Sequence, residues 1–152
     1  MNRDRELNKK IVSGLMIVTL VFTGLAVLMP LSFNLAVGYT MPNGVSWSMD
    51  DLVANSGGAV TAGGADEYYV HEDIFISVNS TLTVDPGQIV YFDLGTGLNV
   101  YGFLNSYGND TSMINYTSSA PSPSYGDWDG ITFLNGSSGS ISYVSIDYAE
   151  NG

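Results

Sequence analysis

Cysteine is missing from this chain of 152 residues, and basic residues are confined to one end of it. All four lysines and arginines lie within the first ten positions. From residue 11 onward there is no lysine or arginine. Thirteen acidic residues remain there, which is the total of fifteen less Asp4 and Glu6. The chain therefore has a short basic N-terminus followed by a long region that carries only acidic charge at neutral pH.

These absences exclude several classes of protein. Nucleic-acid binding requires basic side chains that neutralise phosphates, so we expect no nucleic-acid partner. Phosphate clamps, Schiff-base lysines and arginine fingers are excluded for the same reason. Without cysteine, no disulfide can stabilise the fold. The hydrophobic content of 45% is too high for a disordered polyanion, so the sequence predicts a folded domain with an acidic surface.

Residues 1–38 have the pattern of a membrane-targeting segment. Residues 11–29 contain no charged side chain, and as a helix they would span the ~30 Å hydrocarbon core of a bilayer. Basic residues before this run and none after it predict that the N-terminus stays inside and the remainder is exported. Two interpretations remain open: a signal peptide cleaved near the small-x-small site at residues 36–38, or an uncleaved signal anchor.

The region after the apolar run divides into a lead-in and a strand-rich part. Residues 39–66 predict a linker or N-terminal cap with a short helix around residues 48–55. Ser48 can cap this helix, and the acidic residues Asp50 and Asp51 are favourable in its first turn. From residue 67 to residue 152, short β-branched and aromatic runs alternate with turn-forming clusters, which predicts an all-β fold. The predicted strands cover residues 68–70, 74–78, 81–84, 89–92, 98–104, 113–117, 131–134 and 141–148.

Short strands leave a sandwich, a closed barrel or a solenoid as architectures. A solenoid requires similar residues at recurring spacings. A Leu-x-Val pattern begins at Leu82 and again 16 residues later at Leu98, and an Ile-x-aromatic pattern begins at residues 114, 131 and 146. The spacing is irregular and favours a solenoid only slightly over the β-sandwich, in which the same residues would fill an ordinary core.

Four segments resemble right-handed parallel β-helix proteins. Residues 80–92 (STLTVDPGQIVYF) and 97–104 (GLNVYGFL) are similar to opening coils of that family, and residues 126–133 (GDWDGITF) and 141–149 (ISYVSIDYA) follow in the family's order. The resemblance covers about residues 68–150 and implies a pectate-lyase-like solenoid fold. The family includes surface and adhesion proteins as well as polysaccharide lyases and hydrolases, so the resemblance implies the fold more than the chemistry.

The resemblance also suggests an incomplete stack. Residues 67–152 would supply about three to four coils and contain no recognisable terminal cap, which such folds use to shield their last strands. We therefore expect either the N-terminal part of a longer protein or an open edge that another chain closes.

Three aspartates form the candidate metal site. Asp127 and Asp129 flank Trp128, so in a strand both carboxylates point to one face and the indole to the other. Together with Asp147 they suit Ca²⁺, which prefers oxygen ligands. The alternatives are solvated turn residues or a carboxylate pair for glycoside hydrolysis. No other cofactor is predicted.

The sequence predicts no catalytic set. His71 is the sole histidine; it has no cysteine or histidine partner and is interpreted as an exposed strand residue. The many serines lack a nucleophile-elbow motif that would favour a Ser-His-Asp arrangement. The pectate-lyase reaction that the resemblance would allow uses a basic residue beside calcium, and this region has no lysine or arginine.

The sequence as a whole predicts an exported, cell-surface or extracellular β-helix segment with a structural or adhesive role. Its partners would be the membrane, through the N-terminal segment, and surface glycans or other cell-surface proteins. One competing hypothesis is the N-terminal portion of a carbohydrate-active enzyme whose catalytic residues lie downstream, and another is a small calcium-dependent binding module. Four Asn-x-Ser/Thr sequons are candidate glycosylation sites, at Asn79, Asn109, Asn115 and Asn135.

Overall fold

The computed structural model describes residues 16–22, 25–31 and 38–151, and the chain divides into two compact units, Met1–Leu35 and Ala36–Gly152. In the first unit, β1 (Met16–Phe22) pairs antiparallel with β2 (Leu25–Leu31). The sequence predicted a hydrophobic helix here. An apolar run alone does not distinguish helix from strand, and the β-branched and aromatic residues of this run favour the strand.

No helix within the described ranges has the length and apolar character needed to cross a membrane. The rest of the predicted targeting segment lies outside the described residues, namely residues 1–15, 23–24 and 32–37, which include the first two positions of the cleavage site at residues 36–38.

Residues 38–151 contain one helix and fourteen strands, and every pair of neighbouring strands is parallel except one. In chain order they are β3 (Tyr39–Thr40), β4 (Ser46–Ser48), α1 (Met49–Asn55), β5 (Val60–Ala62), β6 (Glu67–Val70), β7 (Ile74–Ile76), β8 (Thr81–Val84), β9 (Ile89–Phe92), β10 (Gly97–Val100), β11 (Phe103–Tyr107), β12 (Ile114–Ser118), β13 (Trp128–Phe133), β14 (Ser138–Ser142), β15 (Val144–Ile146) and β16 (Ala149–Asn151).

The strands form three sheets, and each sheet receives every third strand of the chain from β6 onward. Sheet 1 has the order β3-β7-β10-β13-β16, sheet 2 the order β4-β8-β11-β14, and sheet 3 the order β5-β6-β9-β12-β15. Within these sheets the β5–β6 pair is antiparallel and the other pairs are parallel. The all-β prediction is confirmed. A β-sandwich is built from antiparallel sheets, so the parallel pairing does not fit that alternative.

The core consists of apolar side chains that lie next to each other in register from one strand to the next. In sheet 1, Leu98 pairs with Ile74 on one side and with Ile131 on the other. In sheet 2, Leu82 pairs with Leu104. Ile74, Leu82, Leu98 and Leu104 are buried, and the residues between them face outward because side chains alternate along a strand. Most strands from β6 to β12 therefore contribute two side chains to the core.

The helix α1 covers the core beside the first strands. The Ser48 side chain accepts a hydrogen bond from the Asp51 amide, and the Asp51 carboxylate accepts one from the Ser48 amide, which forms a capping box. Met49 and Leu52 are buried with the strand residues of the core. The predicted helix and its cap are confirmed. The surrounding lead-in is more regular than a linker, because β3, β4 and β5 each occupy an edge of one sheet.

The last strands leave their inward-facing side chains partly uncovered. Phe133 continues the buried column of Ile76 and Val100 but is 42% exposed, and Ile141 continues the column of Val84 but is 44% exposed. Since these positions are filled and buried in earlier strands, β13 to β15 present an apolar surface that no described residue covers.

Candidate functional site

Four polar side chains on the outer face of sheet 3 form a continuous hydrogen-bonded chain, which we call the His71 cluster. Thr61 lies on the edge strand β5, and His71 follows the last residue of β6. Asp93 follows the last residue of β9, and Ser119 follows the last residue of β12. The cluster therefore connects four neighbouring strands of one sheet.

His71 occupies the centre of the cluster and contacts a partner with each ring nitrogen. Its Nδ1 lies 2.7 Å from Asp93 Oδ2, and its Nε2 lies 2.9 Å from Thr61 Oγ1. An ionised carboxylate only accepts hydrogen bonds, so Nδ1 carries a hydrogen and donates the hydrogen bond to Asp93. In the neutral ring Nε2 then accepts, and the Thr61 hydroxyl donates to it. Hydrogen bonds thus link a hydroxyl, an imidazole and a carboxylate in that order.

Asp93 has a second donor that holds it in place. The Ser119 hydroxyl donates to Asp93 Oδ1 at 2.6 Å. Partial burial alone would raise the pKa of Asp93, but the hydrogen bonds from Ser119 and His71 and the attraction of His71 together outweigh it and lower the pKa. Asp93 is therefore ionised at neutral pH, and both of its oxygens have a partner.

Strand register explains why these residues meet. Val70 pairs with Phe92, and Phe92 pairs with Ser118, so the residue that follows each of them occupies the same position on three neighbouring strands. Alternation places the three following residues, His71, Asp93 and Ser119, on the outer face. Thr61 joins them because β5 runs antiparallel beside β6 and pairs Thr61 with Tyr69, two residues before His71.

Two tyrosines lie beside the cluster on the same face. The rings of Tyr69 and Tyr91 are stacked, with 4.8 Å between centroids and 14° between planes. Gly63 lies so close to the Tyr69 ring that a side chain at this position would overlap the ring. The stacked pair stabilises the packing of β6 on β9.

The three aspartates of the predicted metal site have different surroundings. Asp127 Oδ2 accepts hydrogen bonds from the Ser124 amide and the Ser118 hydroxyl, which lower the pKa of Asp127. Asp147 Oδ2 accepts from Ser145, and Asp129 is exposed. Across the part of the chain that the structure describes, no three Asp, Glu, His or Cys side chains are grouped so as to hold a metal ion. The structure thus does not bring these aspartates together as a three-ligand site.

The predicted alternation around Trp128 agrees with the structure. Trp128 is fully buried, whereas Asp127 is half-buried and Asp129 is exposed. The indole lies inside the core.

The four sequons occupy different environments. Asn79 and Asn135 are exposed in turns. Asn109 is half-buried, and its side-chain oxygen accepts hydrogen bonds from the amide and hydroxyl of Thr111, the third residue of its own sequon. Asn115 lies half-buried on β12, on the outer face of sheet 3. Asn79 and Asn135 are therefore the two most accessible candidates for glycosylation.

Searches against protein-family models, curated proteins and solved structures find no match to this chain. The resemblance to parallel β-helix proteins accordingly remains a prediction from the sequence.

A shallow groove follows the corner between sheets 1 and 2. It contains two adjoining pockets of about 330 and 350 Å³, and the exposed side chains of Val78 and Tyr101 line both. Polar groups surround these two side chains. The polar and small lining residues are Thr40, Asn43, Ser77, Asn79, Ser80, Thr81, Gly102, Gly136 and Ser138.

Sequence reasoning missed the His71 cluster. It interpreted His71 as an isolated exposed residue, and the ring is indeed solvent-accessible, with a side-chain exposure of 38%. Its partners lie 10 positions before it and 22 positions after it and carry no motif. The signal that would reveal them is the strand register, which places the residues following β6, β9 and β12 side by side.

Proposed function

We propose that residues 38–151 are coils of a right-handed parallel β-helix and that the chain is an exported cell-surface segment with a structural or adhesive role. The observation that carries the proposal is the strand order: three parallel sheets each take every third strand, as a chain does when it winds around one core. The in-register apolar columns of sheets 1 and 2 support it, because stacked coils require like residues at like positions.

The charge distribution supports export. The basic residues precede the apolar run of residues 11–29, as the positive-inside rule requires for a segment that sends the remainder outward. The second unit contains acidic residues and no lysine or arginine. Such a surface repels itself and suits surroundings in which salt or bound cations screen it.

The uncovered apolar side chains of β13 to β15 support a longer stack. α1 covers the core beside the first strands with Met49 and Leu52, but Phe133 and Ile141 remain exposed beside the last ones. A further coil of the same kind would bury these side chains and pair with the free edges of β14, β15 and β16. We therefore propose that these coils belong to a longer surface protein.

The corner groove supports the adhesive part of the role. Sugars are bound by a combination of exposed aromatic side chains and hydrogen-bonding groups, and the groove presents Tyr101 beside the polar residues that line it. Surface glycans and the glycosylated surfaces of other proteins are the partners that fit this composition.

Engineered disulfides test the coiling directly, and the chain contains no other cysteine to interfere. Thr83 and Asn105 are outward-facing register partners on β8 and β11, 22 residues apart. Neighbouring parallel strands lie close enough for a disulfide. The double variant Thr83→Cys/Asn105→Cys should oxidise completely and shift in a non-reducing gel.

The matched control is Thr83→Cys/Asn99→Cys, whose second cysteine lies on sheet 1. It should remain reduced under the same conditions, because its two positions belong to different sheets. Disulfide formation in the control pair and not in the Thr83/Asn105 pair would contradict the proposed coiling.

A further inference from the structure

We propose that the His71 cluster is an acyl-transfer site in which Thr61 is the nucleophile, His71 the general base and Asp93 the residue that orients the base. This activity goes beyond the structural or adhesive role proposed above and does not depend on it. The substrate class is a small, uncharged carboxylic ester, such as an acetyl group on a sugar hydroxyl.

The geometry satisfies the requirements for an activated hydroxyl. A nucleophile needs a base within about 2.6–3.2 Å, and the base needs a third group that fixes its ring. The distances of 2.9 Å from Thr61 Oγ1 to His71 Nε2 and of 2.7 Å from His71 Nδ1 to Asp93 Oδ2 meet both. The Ser119 hydroxyl fixes Asp93 in turn. Four strands thus hold the set, and it does not rely on a mobile loop.

The edge strand supplies a donor for the developing negative charge. The amides of Gly63 and His71 donate to Glu67 and Ala59 across the β5–β6 pair, and hydrogen-bonded pairs alternate with non-bonded ones in an antiparallel ladder. Ala62, the residue after Thr61, therefore directs its amide away from β6. Since β5 is the edge of sheet 3, that amide faces the open side. The amide following the nucleophile is a common oxyanion donor.

The reaction balances without a cofactor. Thr61 Oγ1 attacks the ester carbonyl carbon while His71 Nε2 takes the hydroxyl proton. The bond from that carbon to the leaving alcohol oxygen breaks, and His71 returns the proton to the alcohol. A water molecule then attacks the acyl carbon while His71 Nε2 takes its proton. The bond from that carbon to Thr61 Oγ1 breaks, His71 returns the proton to Oγ1, and the acid is released.

The surroundings select the substrate class. The site is open to solvent and shallow, which suits a small acyl group on a larger alcohol. The second unit contains no lysine or arginine to bind an anion, and Glu67 occupies the same face as Tyr69 and His71. Esters that carry negative charge, including phosphate monoesters and diesters, are therefore disfavoured, and neutral esters remain.

The test uses the full-length protein with p-nitrophenyl acetate and with diisopropyl fluorophosphate. We expect hydrolysis above the buffer rate, and a covalent phosphoryl adduct on the Asp-N peptide that contains Thr61. Thr61→Val and His71→Gln should each lower the hydrolysis rate about 100-fold or to the buffer rate. Both should abolish the adduct, whereas Thr61→Ser should retain both readouts.

The matched control is Thr117→Val, a threonine on the same face of sheet 3 that is outside the His71 cluster. It should leave the rate and the adduct unchanged. Thermal unfolding of each variant checks that it is folded. If His71→Gln does not fold, the comparison of Thr61→Val with Thr61→Ser still tests the proposal. A wild-type rate equal to that of folded Thr61→Val, with no adduct on Thr61, would overturn the proposal.

Discussion

The indole of Trp128 stacks on the ring of Phe92, with 4.1 Å between ring centroids and 11° between ring planes. Trp128 begins β13 in sheet 1 and Phe92 ends β9 in sheet 3, so the contact joins two sheets through the core. The indole Nε1 donates to the Asp147 carbonyl at 2.8 Å, which satisfies the one polar atom of a fully buried side chain. Trp128 thereby connects sheet 1 to sheet 3 and to the chain that follows β15.

Two substitutions of Trp128 by smaller residues should destabilise the protein by different amounts. Trp128→Phe keeps a stacked ring but leaves the Asp147 carbonyl without its donor, which should cost about 1–2 kcal/mol of unfolding free energy. Trp128→Ala also opens a cavity and should cost about 3–5 kcal/mol. Urea unfolding measures both. Trp47→Phe is the control: Trp47 is only half-buried, so its loss should be smaller than that of Trp128→Phe.

A side chain at Gly102 should disrupt the corner between β10 and β11. A Cβ there would overlap the carbonyl oxygens of Ser77 and Ser80, which belong to the backbone between β7 and β8 and cannot rotate away. Gly102→Ala should therefore cost on the order of 1–3 kcal/mol, the typical range for overpacking. Gly64→Ala should change the unfolding free energy by less than about 0.5 kcal/mol, because its Cβ would meet only the flexible Glu67 carboxylate. Equal losses for the two variants would show that the corner is not tightly packed.

The His71 cluster predicts a defined pH dependence of stability. The folded state lowers the pKa of Asp93, so its contribution is present above the unfolded pKa of about 4 and is lost as pH falls through the folded pKa. Because the side chain is 41% exposed, solvent screening limits the contribution, and Asp93→Asn should cost about 1 kcal/mol at pH 7. Once the pH is low enough to protonate the carboxylate in the folded state as well, the variant and the wild type should unfold alike.

Thermal unfolding of both proteins as a function of pH measures this difference. Asp110→Asn, at an exposed loop position, serves as the control and should match the wild type throughout. A loss for Asp93→Asn that stays constant from pH 7 to below pH 3 would show that the ionised carboxylate is not what stabilises the cluster.

The acidic surface predicts stabilisation by salt without a specific calcium effect. Raising NaCl from about 0.1 M to about 1 M shortens the Debye length from about 10 Å to about 3 Å and should raise the melting temperature by screening repulsion among the acidic residues. CaCl₂ at equal ionic strength should add little, since Asp127, Asp129 and Asp147 do not form a three-ligand group. A large increase with Ca²⁺ that a chelator reverses and Asp127→Asn abolishes would instead establish the predicted calcium site.

The sequence predicts local structure well because each strand is fixed by its own residues. The predicted strands 81–84 and 89–92 match β8 and β9, and the helix with its Ser48 cap is correct. The predicted strand 98–104 is instead two strands, because the chain turns a corner at Gly102. Alternating apolar residues continue through that corner, so periodicity does not reveal it.

The repeat spacing was misread for a related reason. The Leu-x-Val pairs of residues 82–84 and 98–100 lie on different sheets, and the true partner of Leu82 is Leu104, 22 positions later. Leu98 pairs with Ile131, 33 positions later, because the turns between the strands differ in length. All three sheets use the same apolar alternation, so similarity between strands of different sheets resembles similarity between paired strands of one sheet.

The candidate site is less predictable than the fold. His71, Asp93 and Ser119 meet only because their strands are in register, and register depends on the long-range pairing that irregular turns obscure. Thr61 joins them through β5, in a segment that the sequence assigned to an irregular lead-in. Asp127 and Asp129 flank one tryptophan in the sequence. In the structure, Asp127 accepts hydrogen bonds from two neighbouring serines, whereas Asp129 is exposed to solvent.

Accessibility on intact cells tests the export of the acidic unit most directly. Proteinase K added outside should digest residues 38–151 without lysis. A membrane-impermeant amine reagent should leave the chain unmodified until the cells are lysed, because its lysines, Lys9 and Lys10, precede the apolar run. If that segment is cleaved, the surface protein has no lysine, and its new N-terminal α-amine is the group that the reagent modifies. Protection of residues 38–151 from the external protease, with full digestion after lysis, would contradict the account.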